Sequence, residues 1–258
     1  MCLIVLQIDQ HPRYKFIVAA NRDEDYARPT MAAHFWPEYP GLLAGKDLSA
    51  KGTWLGITKQ GRFAAITNDY TGTMPKLPTG VSRGKLVLDY LSSNENPLAY
   101  LQQIQAKRLQ YSGFNLILGS IVHLYHYNNS IDEITLIDAG IHGISNATLD
   151  TPWPKVTQTK AALSSLDAPS VIDEEALFHI MADKTPAPDE LLPDLPLPIE
   201  QKRAVSANFI ETPHFGTRST TLLLVDHADQ VTFAERTYLA NGGTTDVRFS
   251  FPIEPAES

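Results

Sequence analysis

Short apolar, β-branched runs joined by polar turns recur along the whole chain, and they constrain the fold more than any other feature. "CLIVLQI" and "KFIVAANRD" flank the turn "DQHPRY", which predicts a hairpin. "TWLGIT" and "RFAAITN" flank "KQG", a second hairpin with glycine in its turn. Two helices are expected next. One runs from about Ser82 to Ser93 with Val87, Leu88 and Leu91 on one stripe. The other starts after an N-cap at Asn96, with Pro97 in the first helical position and Leu98, Leu101 and Ile104 facing inward. "FNLILGSIVHLYHY", "EITLID" and "GIHGISN" read as further strands, and helices are expected around Lys155 to Leu166 and Asp173 to Ala182. The prolines of "TPAPDELLPDLPLPIE" argue against regular structure and predict an exposed loop at about 184–200. "TRSTTLLLVD" and "QVTFAER" make a last hairpin. Strands joined by hairpins, with helices in pairs, predict an α+β chain of antiparallel sheets with helices packed outside, rather than a doubly wound parallel sheet.

Size and charge narrow the function. The 258 residues carry 43% hydrophobic and 19% charged side chains, enough for a substantial core, and are expected to form a single domain over 1–258. The formal net charge is −8 and no cluster of Lys or Arg exceeds two in a row, which argues against nucleic acid or an anionic membrane as the main partner. No apolar run approaches a transmembrane segment in length, and the N-terminus lacks the basic and cleavage regions of a signal peptide. One cysteine excludes an internal disulfide, and a reducing, cytoplasmic location is expected.

That cysteine, Cys2, is the first candidate for chemistry. It is either a small hydrophobe of an edge strand or a nucleophile. Methionine before so small a residue is usually trimmed, which would leave the thiol and an α-amine on one residue. An α-amine titrates near pH 8 and can serve as the base for its own nucleophile. Asn21, Arg22, Asp23 and Glu24 follow "FIVAA" directly; they are either a solvated turn or a polar site. A guanidinium at Arg22 would favour the Cys2 thiolate and make it reactive, while Asp23 could orient the α-amine or pair with Arg22. Asn68, Asn146 and Arg218 lie at or near strand ends, where an amide can donate to an oxyanion and an arginine can hold a carboxylate. Trp54 is expected in the core or a pocket wall, and Gly52 in a structural turn. His123 and His126 would point to opposite faces of one strand, and no pairing of His and Cys suggests a metal.

Taken together and in order, "MCLI", "AANRDEDYARP", "GTWLGIT", "AAITN", "GFNLILG", "GISNATLDTPWPK" and "GTRSTTLLLV" resemble the NRDE family, also called the transport and Golgi organisation 2 family. The resemblance covers nearly the whole chain; the Pro-rich loop and the tail after Arg236 match weakly. It implies a four-layer αββα sandwich similar to N-terminal nucleophile hydrolases. The choloylglycine hydrolases and penicillin V acylases are the nearest analogues. Carried over by motif position, the resemblance implies a catalytic set of Cys2, Arg22, Asp23, Asn68, Asn146 and Arg218. Asp25 would restore the arginine-to-aspartate spacing of the acylases.

The resemblance leaves two readings. Family members are associated with haem trafficking, so the first is a haem-handling protein whose pocket around Cys2 carries haem as cargo, with Arg22, Trp54 and Arg218 as pocket candidates. The alternative is an amidohydrolase cleaving a linear amide with no cofactor, through Cys2 and its own α-amine. Either ligand, haem or an acyl-amide, is small and amphipathic.

Overall fold

The computed structural model describes residues 2–71, 74, 77, 81–166 and 171–255. The strands are β1 (Cys2–Ile8), β2 (Tyr14–Asp25), β3 (Thr30–Trp36), β4 (Tyr39–Asp47), β5 (Leu55–Thr58), β6 (Arg62–Asn68), β7 (Phe114–Ser120), β8 (His123–Asn128), β9 (Glu133–Ile137), β10 (Gly140–Ile144), β11 (Phe215–Asp226), β12 (Gln230–Tyr238) and β13 (Thr244–Pro252). The helices are α1 (Arg83–Leu91), α2 (Pro97–Gln105), α3 (Pro154–Ser164), α4 (Glu174–Met181) and α5 (Ile199–Ser206). They divide between two compact units, one of Met1–Ala27, Ala139–Ser145 and Leu149–Ser250, the other of Arg28–Asp138, Asn146–Thr148 and Phe251–Ser258.

The first unit is built on a six-stranded sheet in the order β10-β1-β2-β11-β12-β13. Strand side chains alternate between faces. Leu3, Val5, Ile17, Ala19, Leu222 and Leu224 form one cluster with Val156 and Leu163 of α3 and Leu177, Phe178 and Met181 of α4. Each such aliphatic side chain contributes roughly 1.5–3 kcal/mol on burial. A slip of one residue would move them all off the helices, so this cluster fixes which side chains of β1, β2 and β11 face away from them.

The second unit carries a seven-stranded sheet in the order β3-β4-β5-β6-β7-β8-β9. Leu86, Val87, Tyr90 and Leu91 of α1 and Tyr100, Leu101 and Ile104 of α2 pack with Phe114, Leu116, Leu118 and Tyr127. The expected start of α2 is present: the Asn96 side chain accepts from the backbone N–H groups of Leu98 and Ala99, with Pro97 in the first turn. Leu98, however, is exposed. Tyr100 takes the buried place instead, its hydroxyl donating to the Leu86 carbonyl at 2.7 Å.

Other elements depart from expectation. Strands β3 and β4 were not evident in the sequence; Trp36 pairs with Tyr39 across a two-residue turn at Pro37 and Glu38. Strand β13 is an edge whose residues are mostly exposed, so it lacks a strong apolar signal. The region expected as an exposed loop is mostly exposed, but Ala187 and Leu195 are buried, the latter against Ile210 and Trp153, and α5 begins within it at Ile199. Among the described residues no helix is long and apolar enough to cross a membrane.

Candidate functional site

Four of the six expected site residues belong to the first unit. Cys2 lies directly opposite Arg22 in the β1–β2 register, and Ser219 of β11 is paired with Arg22 from the other side. Because Leu3 and Val5 face the helices, alternation puts Cys2 and Arg22 together on the opposite sheet face. Asn21 to Asp25 are not a solvated turn. They continue β2, and Asn21, Arg22 and Asp23 are buried. The Asn21 amide donates to the carbonyls of Met181 and Asn208 at 2.8 Å each, and its oxygen accepts from Thr220 Oγ1 at 2.6 Å. This asparagine staples the strand to the end of α4 and to the segment after α5.

Asp23 turns to the helix side, one residue beyond Arg22. Its Oδ1 accepts from the Thr217 hydroxyl at 2.7 Å, and that hydroxyl also accepts from the Ile210 N–H at 2.9 Å. Burial pushes the Asp23 carboxyl above the ordinary aspartate range; the amino-terminal charge, Lys155, the Thr217 hydroxyl and Arg22 draw it back. Asp25, the alternative, is exposed and caps a turn by accepting from the Ala27 N–H at 2.7 Å. Arg218 sits in an irregularity of β11 between Thr217 and Ser219, and its guanidinium donates to the carbonyls of Asp25 and Tyr26 at 2.8 and 3.2 Å.

At Cys2 burial opposes the thiolate that Arg22 favours. Cys2 is half-buried as a residue, but burial of its thiol is the largest influence and pushes the pKa above the ordinary thiol value. The neighbouring Asp23 charge adds to this. The amino-terminal charge, the Asp23 backbone N–H and Arg22 act in the other direction and do not overcome it. The Cys2 carbonyl accepts from the Ser145 hydroxyl at 2.7 Å, which ties β1 to the end of β10.

Asn68 and Asn146 belong to the second unit, with Trp54. The Asn146 amide is fully buried and donates to the Asn68 carbonyl at 2.8 Å, while the Asn68 amide donates to the Tyr70 hydroxyl at 2.9 Å. A buried polar network holds this corner. Asn115 Nδ2 donates to the Ala147 carbonyl at 2.9 Å, and its Oδ1 accepts from Asn128 Nδ2 at 2.8 Å and lies 3.0 Å from His126 Nε2. Trp54 packs at the edge of the helix-covered core, so close to Gly45 that any Cβ there would collide with its ring. His123 is exposed and His126 buried, as opposite strand faces require. Among the described residues no group of three His, Cys, Asp or Glu could hold a metal ion.

Sequence reasoning missed two buried charged residues of the first unit. Glu235 lies on the sheet face of Cys2 and Arg22 and accepts from the Thr221 hydroxyl at 3.2 Å. Lys155, in the first turn of α3, interacts electrostatically with both Asp23 and Cys2. Its only sequence signal is a lysine just inside an amphipathic helix, which ordinarily marks a solvated position.

Comparison with solved structures places this geometry in a known fold. A mutant of conjugated bile acid hydrolase from Clostridium perfringens superposes with a TM-score of 0.54 at 8% identity, over 98% of this chain and 97% of that one. The fold is therefore N-terminal nucleophile hydrolase-like, and each unit contributes one antiparallel sheet with helices packed on it. At the sequence level, Transport and Golgi organization protein 2 homolog from Bos taurus is 34% identical over 95% of each chain. The Homo sapiens homolog is 32% identical over 93% of this chain and 94% of its own. The family model for Transport and Golgi organisation 2 matches residues 1–240, and the chain belongs to that family.

Proposed function

We propose that this protein is an N-terminal-cysteine hydrolase acting on the C–N bond of a linear amide. One observation carries the reading: Cys2 and Arg22 are direct cross-strand partners on one sheet face, with a buried Asp23 next in sequence behind them. A buried thiol whose pKa is raised keeps its proton at neutral pH, so it needs a base in contact with it. Once Met1 is removed, the α-amine of Cys2 is that base, and Asp23 is the carboxylate that orients it.

In this mechanism the α-amine takes the Sγ proton as sulfur attacks the amide carbon. The C–N bond then breaks, the leaving amine takes the proton from the α-ammonium, and a thioester remains on Cys2. Water, deprotonated by the same α-amine, attacks the thioester carbon, releasing the carboxylic acid and restoring the thiol. The bile acid hydrolase supports this reading at the level of fold alone.

Haem handling rests on the family resemblance, and no contact among the described residues favours it over hydrolysis. Arg218, its candidate propionate partner, donates to the Asp25 and Tyr26 carbonyls, and Trp54 lies against Gly45. The test is release of amine from a panel of N-acyl amides by the wild-type protein and by Cys2→Ala. Turnover that Cys2→Ala retains sinks the reading.

A further inference from the structure

Lys155 is in a place that disfavours a lysine in three ways. It is 2% exposed. It is the second residue of α3, behind Pro154, where the positive end of the helix dipole repels a cation. Its ammonium has one hydrogen bond among the described residues, to the Val205 carbonyl at 3.1 Å, although it carries three donors. Trp153, Pro193, Leu195, Val205 and Ser206 close over it and leave a cavity of only about 10 Å³, room for one water at most. A bound ligand therefore does not account for the charge.

We propose that Lys155 is a positioning residue of the Cys2 site, the buried counter-cation that keeps Asp23 a carboxylate from the helix side of the six-stranded sheet. Asp23 and Lys155 are on the same side of that sheet, since Asp23 alternates with Arg22 and α3 packs on the Leu3 face. The ionisable groups that act on Lys155 are Asp23 from β2 and Cys2 from β1. The 193–206 cover contributes Pro193, Leu195, Val205 and Ser206 to its surroundings, none of them ionisable. On β10, His142 is engaged with Asp150, which also takes Lys160. Facing α4 residues are the apolar Leu177, Phe178 and Met181, and His179 is exposed.

Burial drives both members of the pair towards neutrality, the Asp23 carboxyl upward and the Lys155 ammonium downward, and each opposes this in the other. Removing the cation takes away one of the influences that, with the amino-terminal charge, the Thr217 hydroxyl and Arg22, hold the Asp23 carboxyl down, so that it takes up a proton at higher pH and holds an α-ammonium at Cys2 less firmly. This role rests on the hydrolase reading for its purpose, but it is measured without any substrate.

Difference infrared spectra against Asp23→Asn isolate the protonated-carboxyl band of Asp23. In Lys155→Met and Lys155→Gln its protonation midpoint is expected to rise by roughly one pH unit or more, the scale on which one nearby opposite charge acts. Lys155→Arg keeps the wild-type midpoint. Gln can still donate to the Val205 carbonyl, so a wild-type midpoint in Lys155→Gln, or in Lys155→Met, overturns the proposal in favour of a staple between α3 and α5. Where the variants are too unstable for spectra, urea unfolding decides. Lys155→Met must shift the midpoint less in an Asp23→Asn background than in wild type, and equal shifts overturn the proposal. Loss of amide cleavage with an unmoved Asp23 midpoint would count against Lys155 alone, whereas a shifted midpoint in a protein that cleaves no amide would count against the hydrolase reading alone.

Discussion

Cys2 and Arg22 face each other across β1 and β2 on the sheet face opposite the helices, so the fold itself fixes a guanidinium-bearing residue directly across from the thiol. It lowers the thiol pKa, but less than burial raises it. Iodoacetamide should therefore alkylate the only cysteine slowly at pH 7, with a midpoint above the ordinary cysteine value of about 8.5. Arg22→Gln should move the midpoint higher and slow the reaction at fixed pH. An unchanged rate profile in that variant would remove Arg22 from the site.

The Asn115 network makes a prediction about stability. Asn115→Leu removes one partner each of Asn128 Nδ2, which keeps Asp69 Oδ2 at 3.3 Å, of His126 Nε2 and of the Ala147 carbonyl, in a corner where Asn115, Asn128 and His126 are buried. Each buried polar group left without a hydrogen bond costs about 1–3 kcal/mol. Urea unfolding should show a loss of at least about 2 kcal/mol, more than the same exchange would cost at an exposed site. A loss under about 0.5 kcal/mol, the scale of surface substitutions, would mean that water or a rearrangement replaces the amide.

How much of this was legible in the sequence depended on where each residue's partner lay. The β1–β2 and β11–β12 hairpins were readable because runs such as Leu3 to Leu6 and Leu222 to Val225 are apolar on both faces and joined through short turns. Asn96 with Pro97 marked a helix start through chemistry confined to three residues. Asn21 to Glu24 looked equally like a turn, because what makes them strand is distant: Met181, Asn208, Thr217 and Thr220 supply their hydrogen bonds. Lys155 was invisible for the same reason. Its burial is set by the cover at 193–206 and its charge partner lies on β2, neither of which helix periodicity reports. Strands β3 and β13 are sheet edges, which bury too little apolar area to stand out.

Asp150 carries a pH prediction. Burial alone would raise its carboxyl, but hydrogen bonds from His142 at 2.7 Å, Lys160 at 2.6 Å and the Gly143 N–H at 2.9 Å outweigh it and hold the pKa at about 2. A depressed folded-state pKa means that the contribution is complete above the unfolded aspartate value of about 3.9 and disappears as pH falls through about 2. Asp150→Asn should therefore lower the urea midpoint at pH 6, and the gap to wild type should close between pH 4 and about 2. A gap that persists unchanged at the acid end would assign Asp150 a role through its turn, where its φ is 58°, rather than through its charge.

The N-terminus separates hydrolase from carrier. A native preparation should have an intact mass lower than the encoded chain by one methionine, because a retained Met1 would leave Cys2 without the α-amine that its protonated thiol requires. One extra residue before Cys2 that cells do not trim should abolish amide cleavage as completely as Cys2→Ala does, since one change removes the base and the other the nucleophile. Neither change replaces Arg22, Trp54 or Arg218, the candidate haem contacts. A haem carrier should therefore keep its affinity in both to within about 1 kcal/mol, the worth of one net hydrogen bond. Titration with haem followed at the Soret band, beside hydrolysis of N-acyl amides by the same three proteins, makes the comparison. Cleavage that needs an exposed Cys2 amine, with no saturable haem binding, establishes the hydrolase. Saturable haem binding preserved in all three proteins, with no amide cleaved by any of them, ends the hydrolase reading and leaves the fold as a carrier. Haem binding lost only in Cys2→Ala would assign the thiolate to the iron.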